Sequence, residues 1–531
     1  MAREIHGRLR VTGMLELETA LAVAGIGDIG ATDAPLAVDG QGRPYVPGTS
    51  LAGALRGWTR RAVQDDPDLA ASERMLWGPD ADAHDASASA VIVEHARVVG
   101  ENARVEQRDG VGIDRYLGTA ADDIKYDREV LPAGTQLELR LTVELPVDEI
   151  ERARRKHVFG SLLLALERGD VPLGAGRTRG LGRVRLVQTT IVEDRLDRTG
   201  VLAALRRSDP YDLQGVRGVG PAGLLSGKPL RPAGVCELEI TLEVLGPMMV
   251  AAGAQAVGVD VLPLTSRGAD GKHALVLPGS SVKGALRARA ELIVRTVLGP
   301  EHVTAAPEAG FGDQVDVPLV RELFGAAGVR ANDEHRAAAR GLSVQWQDRL
   351  GLGALGVSDT LSTVRIEGDA WRKVLSGQTP QDVRSALESS GLGVSPAVHV
   401  AIDRWTGGAK RGALYSVLEL HDIRWETIKM RLDLDRIPEP SRIAALALLW
   451  LVLRDVREGR VPLGFGTHRG LGDVRATSVK IAGDVPAALP RDADSILDLG
   501  ADAALAELRK AWKVWLQKRR AGEVEQLEGV T

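Results

Sequence analysis

The chain has 531 residues and a single cysteine, Cys236. A lone thiol excludes an intrachain disulfide and any zinc site built on cysteines, and it suits a reducing compartment. Aromatic residues are scarce too, with nine Trp, five Tyr and four Phe. That argues against recognition carried mainly by base stacking, as on a conventional single-strand-binding sheet. The ten histidines form no H-x-x-x-H or comparable cluster, and no Ser/His/Asp set is legible. Long apolar runs are missing: the longest, Ile443–Leu453, has 11 residues, against about 20 needed to span a bilayer. The start, MAREIHGRLRV, lacks the apolar core of a signal peptide. A cytosolic (cytoplasmic) protein with no membrane partner is the expectation. An excess of positive charge is also absent, since 67 basic and 72 acidic groups leave −5. Any polyanion partner must therefore meet a local basic stripe.

What is present is ordinary for a folded protein, with 44% hydrophobic and 26% charged residues. At about 150 residues per domain the length predicts more than one domain. The organisation is a duplication. Pro44-Tyr-Val-Pro-Gly-Thr-Ser-Leu-Ala-Gly-Ala-Leu-Arg56 returns as Leu277-Pro-Gly-Ser-Ser-Val-Lys-Gly-Ala-Leu-Arg287, and Leu76-Trp-Gly78 as Leu323-Phe-Gly325. Ile113-Asp-Arg-Tyr-Leu-Gly-Thr-Ala120 returns as Ile402-Asp-Arg-Trp-Thr-Gly-Gly-Ala409. The Gly-rich block Val171–Val184 returns as Val461–Val474. The offset is 231 residues at the first block, 247 at the second, 289 at the third and 290 at the fourth. The second copy thus carries 16 extra residues before Leu323 and 42 more between Gly325 and Ile402. These blocks divide the chain into a first domain over 1–198, a Gly/Pro-rich linker over 199–234, a second domain over 235–488 and a tail over 489–531.

Each copy reads as strand, long loop, helix, irregular middle, strand, helix, Gly-rich loop, strand. Leading strands are expected at Glu4–Leu15 and Glu237–Leu245. Half-buried strands are expected from Arg140 and Arg431, and apolar core helices at Phe159–Leu166 and Ile443–Leu453. Ser50 or Ser281 is placed to cap the helix after each Pro-Gly. This order predicts an α+β fold of split β-α-β, ferredoxin-like type. In the tail, Leu505, Leu508, Trp512, Trp515 and Leu516 share one helical face beside Lys510, Lys513, Lys518, Arg519 and Arg520. Such a stripe either packs on its own domain or docks a partner subunit.

Two blocks carry chemistry suited to phosphate. In the Gly-rich block, Gly174, Gly176, Gly180 and Gly182 permit positive φ and an anion-holding nest, flanked by Arg177, Arg179, Arg183 and Arg185. Gly464, Gly466, Gly470 and Gly472 repeat it with His468, Arg469 and Arg475. The spacing G-x-G-x-x-x-G-x-G after a helix is not a Rossmann loop, and a tight helix-to-strand turn is the alternative reading. At the Pro-Gly helices, free N–H groups with Ser50 and Arg56, or Ser280, Ser281, Lys283 and Arg287, suit a polyanion backbone without forming a Walker A loop. Arg115 and Arg404 are candidate RNA-backbone contacts, with Tyr116 and Trp405 as wedges; equally, Asp114 and Asp403 could salt-bridge those arginines within a hairpin.

Four motifs in order, twice over, resemble the RAMP superfamily, and most closely the Cas-seven group of backbone subunits in type III CRISPR effector complexes. The resemblance covers about 5–190 and 236–485. It implies two tandem modified RRM/ferredoxin-like palm domains with thumb-like insertions, with crRNA running along the palms. It also implies a metal-dependent endoribonuclease that cuts complementary target RNA through an Asp in the loop after the first strand. The family pattern Gly-x-Asp-x-Pro places that residue on Asp33 in the first copy. In the second, Gly258-Val-Asp260-Val-Leu-Pro263 places it on Asp260, with one extra residue before the Pro. Asp28, Asp39 and Asp270 are fallbacks, and an Asp in a Gly-rich loop is otherwise a turn or cap residue. RNA brings its own 2′-OH nucleophile, so one carboxylate suffices either as a ligand of hydrated Mg²⁺ or as the proton acceptor. The implied partners are crRNA, complementary target RNA and other type III CRISPR effector subunits. Two further readings are a non-catalytic crRNA-binding scaffold and a crRNA-processing endoribonuclease of the same superfamily, the latter expected to use a base such as His.

Overall fold

The computed structural model describes residues 4–25, 32–79, 88–100, 104–213, 218–253, 256–299, 314–326, 351–489 and 503–521. The chain forms two compact units. The first comprises Met1–Gln107, Arg128–Arg177 and Leu181–Ala233; the second comprises Arg108–Asp127, Thr178–Gly180 and Gly234–Thr531.

In the first unit the lead strand Ile5–Leu17 alternates buried Leu9, Val11, Leu15 and Leu17 with half-exposed neighbours, the period-2 pattern of a strand covered on one face. It pairs antiparallel with Gln136–Pro146 on one side and Val184–Arg195 on the other. Val91–Val93 and Ala96–Val98 both add to the far edge of Gln136–Pro146. Helix Gly48–Val63 follows the lead strand, and Glu149–Arg168 follows Gln136–Pro146. Asp148 caps the latter by accepting from Glu151 N at 2.7 Å, and Gly169 ends it in the left-handed region. Reading strands and helices in chain order gives β-α-β-β-α-β with sheet order 4-1-3-2, the ferredoxin-like arrangement. Phe159, Leu162 and Leu163 of the second helix close the core over the sheet.

The second unit repeats this order with Val235–Val244, helix Gly279–Leu298, Leu355–Ser358, Ile428–Asp433, helix Glu439–Arg457 and Val474–Gly483. Its sheet gains one more strand, Arg179–Gly180, parallel to Leu355–Ser358. The described part of its larger insertion holds helices Gly368–Ser376 and Pro380–Glu388, the second opened by a Thr379/Asp382 capping box. The final helix, Ala503–Arg520, buries Leu505, Leu508 and Trp515 in the core of this unit, and Trp512 stacks on Trp515. Its apolar stripe thus serves its own domain.

One expectation is corrected. Of the segment 199–234, read as a connector, the described residues 199–213 and 218–233 belong to the first unit: they contain most of helix Arg198–Leu205 and bury Leu224 in that core. The Tyr211 hydroxyl meets Thr142 Oγ1 at 2.8 Å, beneath the guanidinium groups of Arg10 and Arg140.

Candidate nucleic-acid interface

Both Pro-Gly helices begin at the glycine, with Pro47 and Pro278 in the cap position and no side-chain cap. The serines therefore do not cap. The first N–H is instead taken by a residue distant in sequence: Gly48 N donates to His95 Nδ1 at 2.9 Å, and Gly279 N donates to Asp359 Oδ1 at 2.8 Å. Ser50 and Ser280 are exposed and Ser281 is half-buried at these helix starts. One turn on, Lys283 is 6% exposed and has no acceptor among the described residues. Burial, with Arg287, Arg179 and Arg436 close by, depresses its pKa to about 7. Arg436 was not anticipated from sequence; nothing local marks it. A buried ammonium flanked by three guanidiniums beside a helix N-terminus is a seat for an anion.

Arg56 and Arg287, expected at RNA, have inward tasks. Arg56 Nη2 donates to Gly78 O at 2.9 Å, and Arg287 Nη1 to Gly325 O at 2.8 Å. Arg287 also reaches Val315 O at 2.6 Å and pairs with Glu291 at 2.7 Å. The helix arginine and the Leu-aromatic-Gly block thus recur together because they are hydrogen-bonded partners. Arg287→Met is expected to destabilise the second unit by about 3 kcal/mol, because it removes one guanidinium partner of buried Glu291, which keeps Arg115, and leaves two carbonyls without their donor. Denaturant titration checks this; a change under about 1 kcal/mol would return Arg287 to the candidate RNA contacts.

The glycines of the Gly-rich blocks also turn inward. All eight have positive φ. A Cβ on Gly182 would strike Leu173 O, and one on Gly472 would strike Leu463 O; Leu173 N and Leu463 N donate back to the same glycines' carbonyls. Gly174 and Gly464 abut Ala22 O and Met249 O, while Gly176 and Gly466 pack on Leu181 and Leu471. These positions face carbonyls and side chains, so the tight-turn reading fits them. Gly180 differs, lying against Asp359 and Gly279 in the second unit. Gly470 faces open space. Arg177, Arg179, His468 and Arg469 are exposed. Arg179 Nη1 donates to Tyr126 Oη at 3.3 Å, and Arg469 Nη1 donates to Tyr415 Oη. The tyrosines stand at the 289-residue offset, a repeat signal that sequence reading missed.

The Ile-Asp-Arg blocks form hairpin tips, joining Glu106–Ile113 to Ala120–Val130 and Gly393–Ile402 to Ala409–His421. Asp114 Oδ1 accepts from Tyr116 N and Leu117 N at 2.8 and 2.7 Å; Asp403 Oδ1 accepts from Trp405 N and Thr406 N, both at 2.9 Å. These N–H groups hold both carboxyls below the usual range. The aspartates are turn caps, not partners of the neighbouring arginines. Arg115 instead pairs with Glu291 at 2.6 Å, which removes it from the expected RNA contacts. Arg404 is exposed and makes no ion pair among the described residues.

The two candidate catalytic aspartates occupy matching stations. Asp33 is exposed, and the loop after it meets the first hairpin's second strand, where Glu129 N donates to Ala34 O at 3.1 Å. Asp260 is likewise exposed; Val261 bridges Val417, and Asp260 Oδ2 accepts from Ser416 N and Oγ at 2.7 and 3.0 Å. Of the fallbacks, Asp39 is a turn residue fixed by Arg43, which lowers its pKa to about 2, and Asp270 accepts from Lys272 N within a turn. Asp28 lies outside the described residues. Among the described residues no three His, Cys, Asp or Glu side chains gather as metal ligands; a hydrated Mg²⁺ held by a single carboxylate such as Asp33 or Asp260 would draw its other ligands from water and RNA phosphate oxygens.

The RAMP superfamily sequence pattern matches residues 14–185 and again 241–475. The CRISPR system Cms endoribonuclease Csm3 of Methanocaldococcus jannaschii is 26% identical over 207 residues, covering 34% of this chain and 79% of that protein. No helix among the described residues is long and apolar enough to cross a membrane. Each matched stretch begins within the lead strand of one β-α-β-β-α-β sheet and ends within its last strand; together they hold both Pro-Gly helices, both hairpins and both Gly-rich loops, and the chain belongs to the RAMP superfamily with its domain present twice.

Proposed function

We propose that this chain is a backbone subunit of a cytoplasmic type III CRISPR effector complex, holding crRNA along its two domains and cutting complementary target RNA at Asp33 and Asp260. The observation that carries the RNA-binding reading is Lys283, a buried cation without a carboxylate partner among the described residues, beside Arg179 and Arg436. An RNA phosphate supplies the missing negative charge. Ser280 and Ser281, at the start of the same helix, add polar groups for the backbone. Target choice belongs to the guide through base pairing, so the chain needs no base-reading code.

Cleavage needs one strand bent so that a 2′-oxygen lies in line with the next phosphorus and its 5′-oxygen. The 2′-oxygen attacks phosphorus, the bond to the 5′-oxygen breaks, and the leaving oxygen takes a proton from water, so that a 2′,3′-cyclic phosphate and a 5′-hydroxyl result. The aspartate takes the 2′-OH proton; in Asp260 the oxygen left for this is Oδ1, since Oδ2 is held by Ser416. That same bond to Ser416 favours the second reading, a scaffold in which Asp260 only pins its loop.

The test of the RNA role is extraction and sequencing of nucleic acid from the chain purified alone and co-expressed with its genomic neighbours. Short RNAs with a repeat-derived end are the expected result; heterogeneous RNA or none in both preparations would overturn it.

A further inference from the structure

The two aspartate loops close in the same register and are held there by different means. Gly25 N and Ala37 N donate to Pro35 O and Val23 O at 3.0 and 2.9 Å, around the bridge between Ala24 and Leu36. Ala252 N and Leu264 N donate to Leu262 O and Val250 O at 2.8 and 2.7 Å, around the bridge between Ala251 and Pro263. Asp33 and Asp260 thus each stand three residues ahead of the bridging residue. The extra residue before Pro263 is absorbed, because Pro263 takes the place of Leu36 and not that of Pro35. That exchange removes a latch. In the first copy Glu129 grips the loop twice: its N–H donates to Ala34 O at 3.1 Å, and its Oε2 accepts from Leu36 N at 2.9 Å. Pro263 has no N–H to offer, and buried Leu418 stands where the 289-residue offset puts the counterpart of Glu129. Donor and acceptor are lost together.

The second loop has another hold besides Ser416. Its buried Gly258 lies against the turn between helices Gly368–Ser376 and Pro380–Glu388, where a Cβ would lie 2.8 Å from Thr379 O and 2.9 Å from Gly377 O. Asp382 fixes that turn by accepting from Gln378 N and Thr379 N at 3.1 and 3.0 Å. Val259 and Leu262, on either side of Asp260, share one core cluster with Val374 and Val383 of the helix pair. The pair has no counterpart in the first copy. Residues 367–392 separate its flanking strands, whereas residues 99–105 separate the corresponding strands, too few for two helices. We infer that Glu129 is the positioning residue of the first cleavage loop and that this helix pair, through Gly258, positions the second, so that each cut is controlled separately. Both act through the loop backbone rather than on the RNA. A loop displaced by about 1 Å carries its carboxylate out of reach of the 2′-OH and costs about a hundredfold in rate. The inference rests on the reading of Asp33 and Asp260 as the cleaving carboxylates.

Single-turnover cleavage of a guide-complementary RNA tests this, with the crRNA-loaded complex co-expressed with its genomic neighbours and the two cuts separated by product length. Glu129→Leu, which installs the second copy's residue, is expected to slow the Asp33 cut about a hundredfold and to leave the Asp260 cut at its wild-type rate. Gly258→Val is expected to do the converse. Glu129→Gln should restore the Asp33 cut, since its amide oxygen still accepts from Leu36 N. Target affinity should match the wild type in all three, so that the loss lies in the rate of the bound complex. The untouched cut in each variant shows that the complex is folded and assembled. Two cuts that fall together overturn the inference, as does an undiminished Asp33 cut in Glu129→Leu or Asp260 cut in Gly258→Val. Glu129→Gln as slow as Glu129→Leu, or a loss confined to target affinity, overturns it too. Cuts that survive Asp33→Ala and Asp260→Ala overturn the cleavage reading itself, and this inference with it.

Discussion

Replacing Asp33 and Asp260 together by Ala is expected to reduce cleavage of a guide-complementary RNA by roughly a hundredfold to ten-thousandfold, the usual contribution of a positioned proton acceptor. Binding of crRNA should stay at the wild-type level, because both side chains lie on exposed loops away from the sheet cores. Each single substitution should remove one of two cuts, visible as loss of one product length on a denaturing gel. Asp260→Asn separates anchoring from chemistry: the amide oxygen can still accept from Ser416, yet the group no longer takes a proton. Cleavage retained by Asp260→Asn and lost in Ser416→Ala would assign Asp260 to loop positioning. Undiminished cleavage by the double Ala variant would leave the scaffold role standing. EDTA in the same assay tests the expected dependence on Mg²⁺, whose remaining ligands would come from water and RNA phosphate oxygens.

The affinity for crRNA is expected to fall as pH rises from about 7 to about 9, by a factor approaching about ten per unit at the steepest point. In the free protein burial and three arginines hold the Lys283 pKa at about 7. A phosphate favours the charged ammonium, so binding raises that pKa and takes up a proton in the interval between the free and bound values. Loss of that proton above about pH 7 weakens the complex. Lys283→Arg, which stays charged, should remove the slope; Lys283→Met should remove it and weaken binding at about pH 7 by about tenfold to a hundredfold. Stability of the free protein moves in the opposite direction. The unfolded chain binds the proton up to its ordinary lysine pKa, so the cost of burying the ammonium is complete below about pH 7 and is relieved as pH rises towards about 10. A wild-type affinity flat across that same range, matching Lys283→Arg, would place Lys283 away from the phosphate.

Sequence by itself determined the duplication, the order of elements in each copy and the recurring local devices. Ile-Asp-Arg-x-x-Gly is a turn because its Asp accepts two nearby N–H groups and its Gly adopts positive φ, all within one short block. Pro-Gly starts a helix for equally local reasons. Periodicity exposed the strands because one face of each sheet is buried, so register and hydrophobic pattern must agree. What the sequence left open is which of these pieces meet. The Gly-rich loops recur as tight turns against the segment that follows their own lead strand, and only the packed backbone shows Leu173 and Leu463 carbonyls where a Cβ would stand. Arg56 and Arg287 recur because they bind the carbonyl of a glycine in another block, a link that composition and spacing do not reveal. Tertiary structure alone brings Arg179 of one copy to Lys283 of the other and seats Arg115 on Glu291, 176 residues away. Such pairings follow from sheet order and helix packing across the whole unit, where burial cost decides which charges are matched and leaves Lys283 without a carboxylate partner among the described residues.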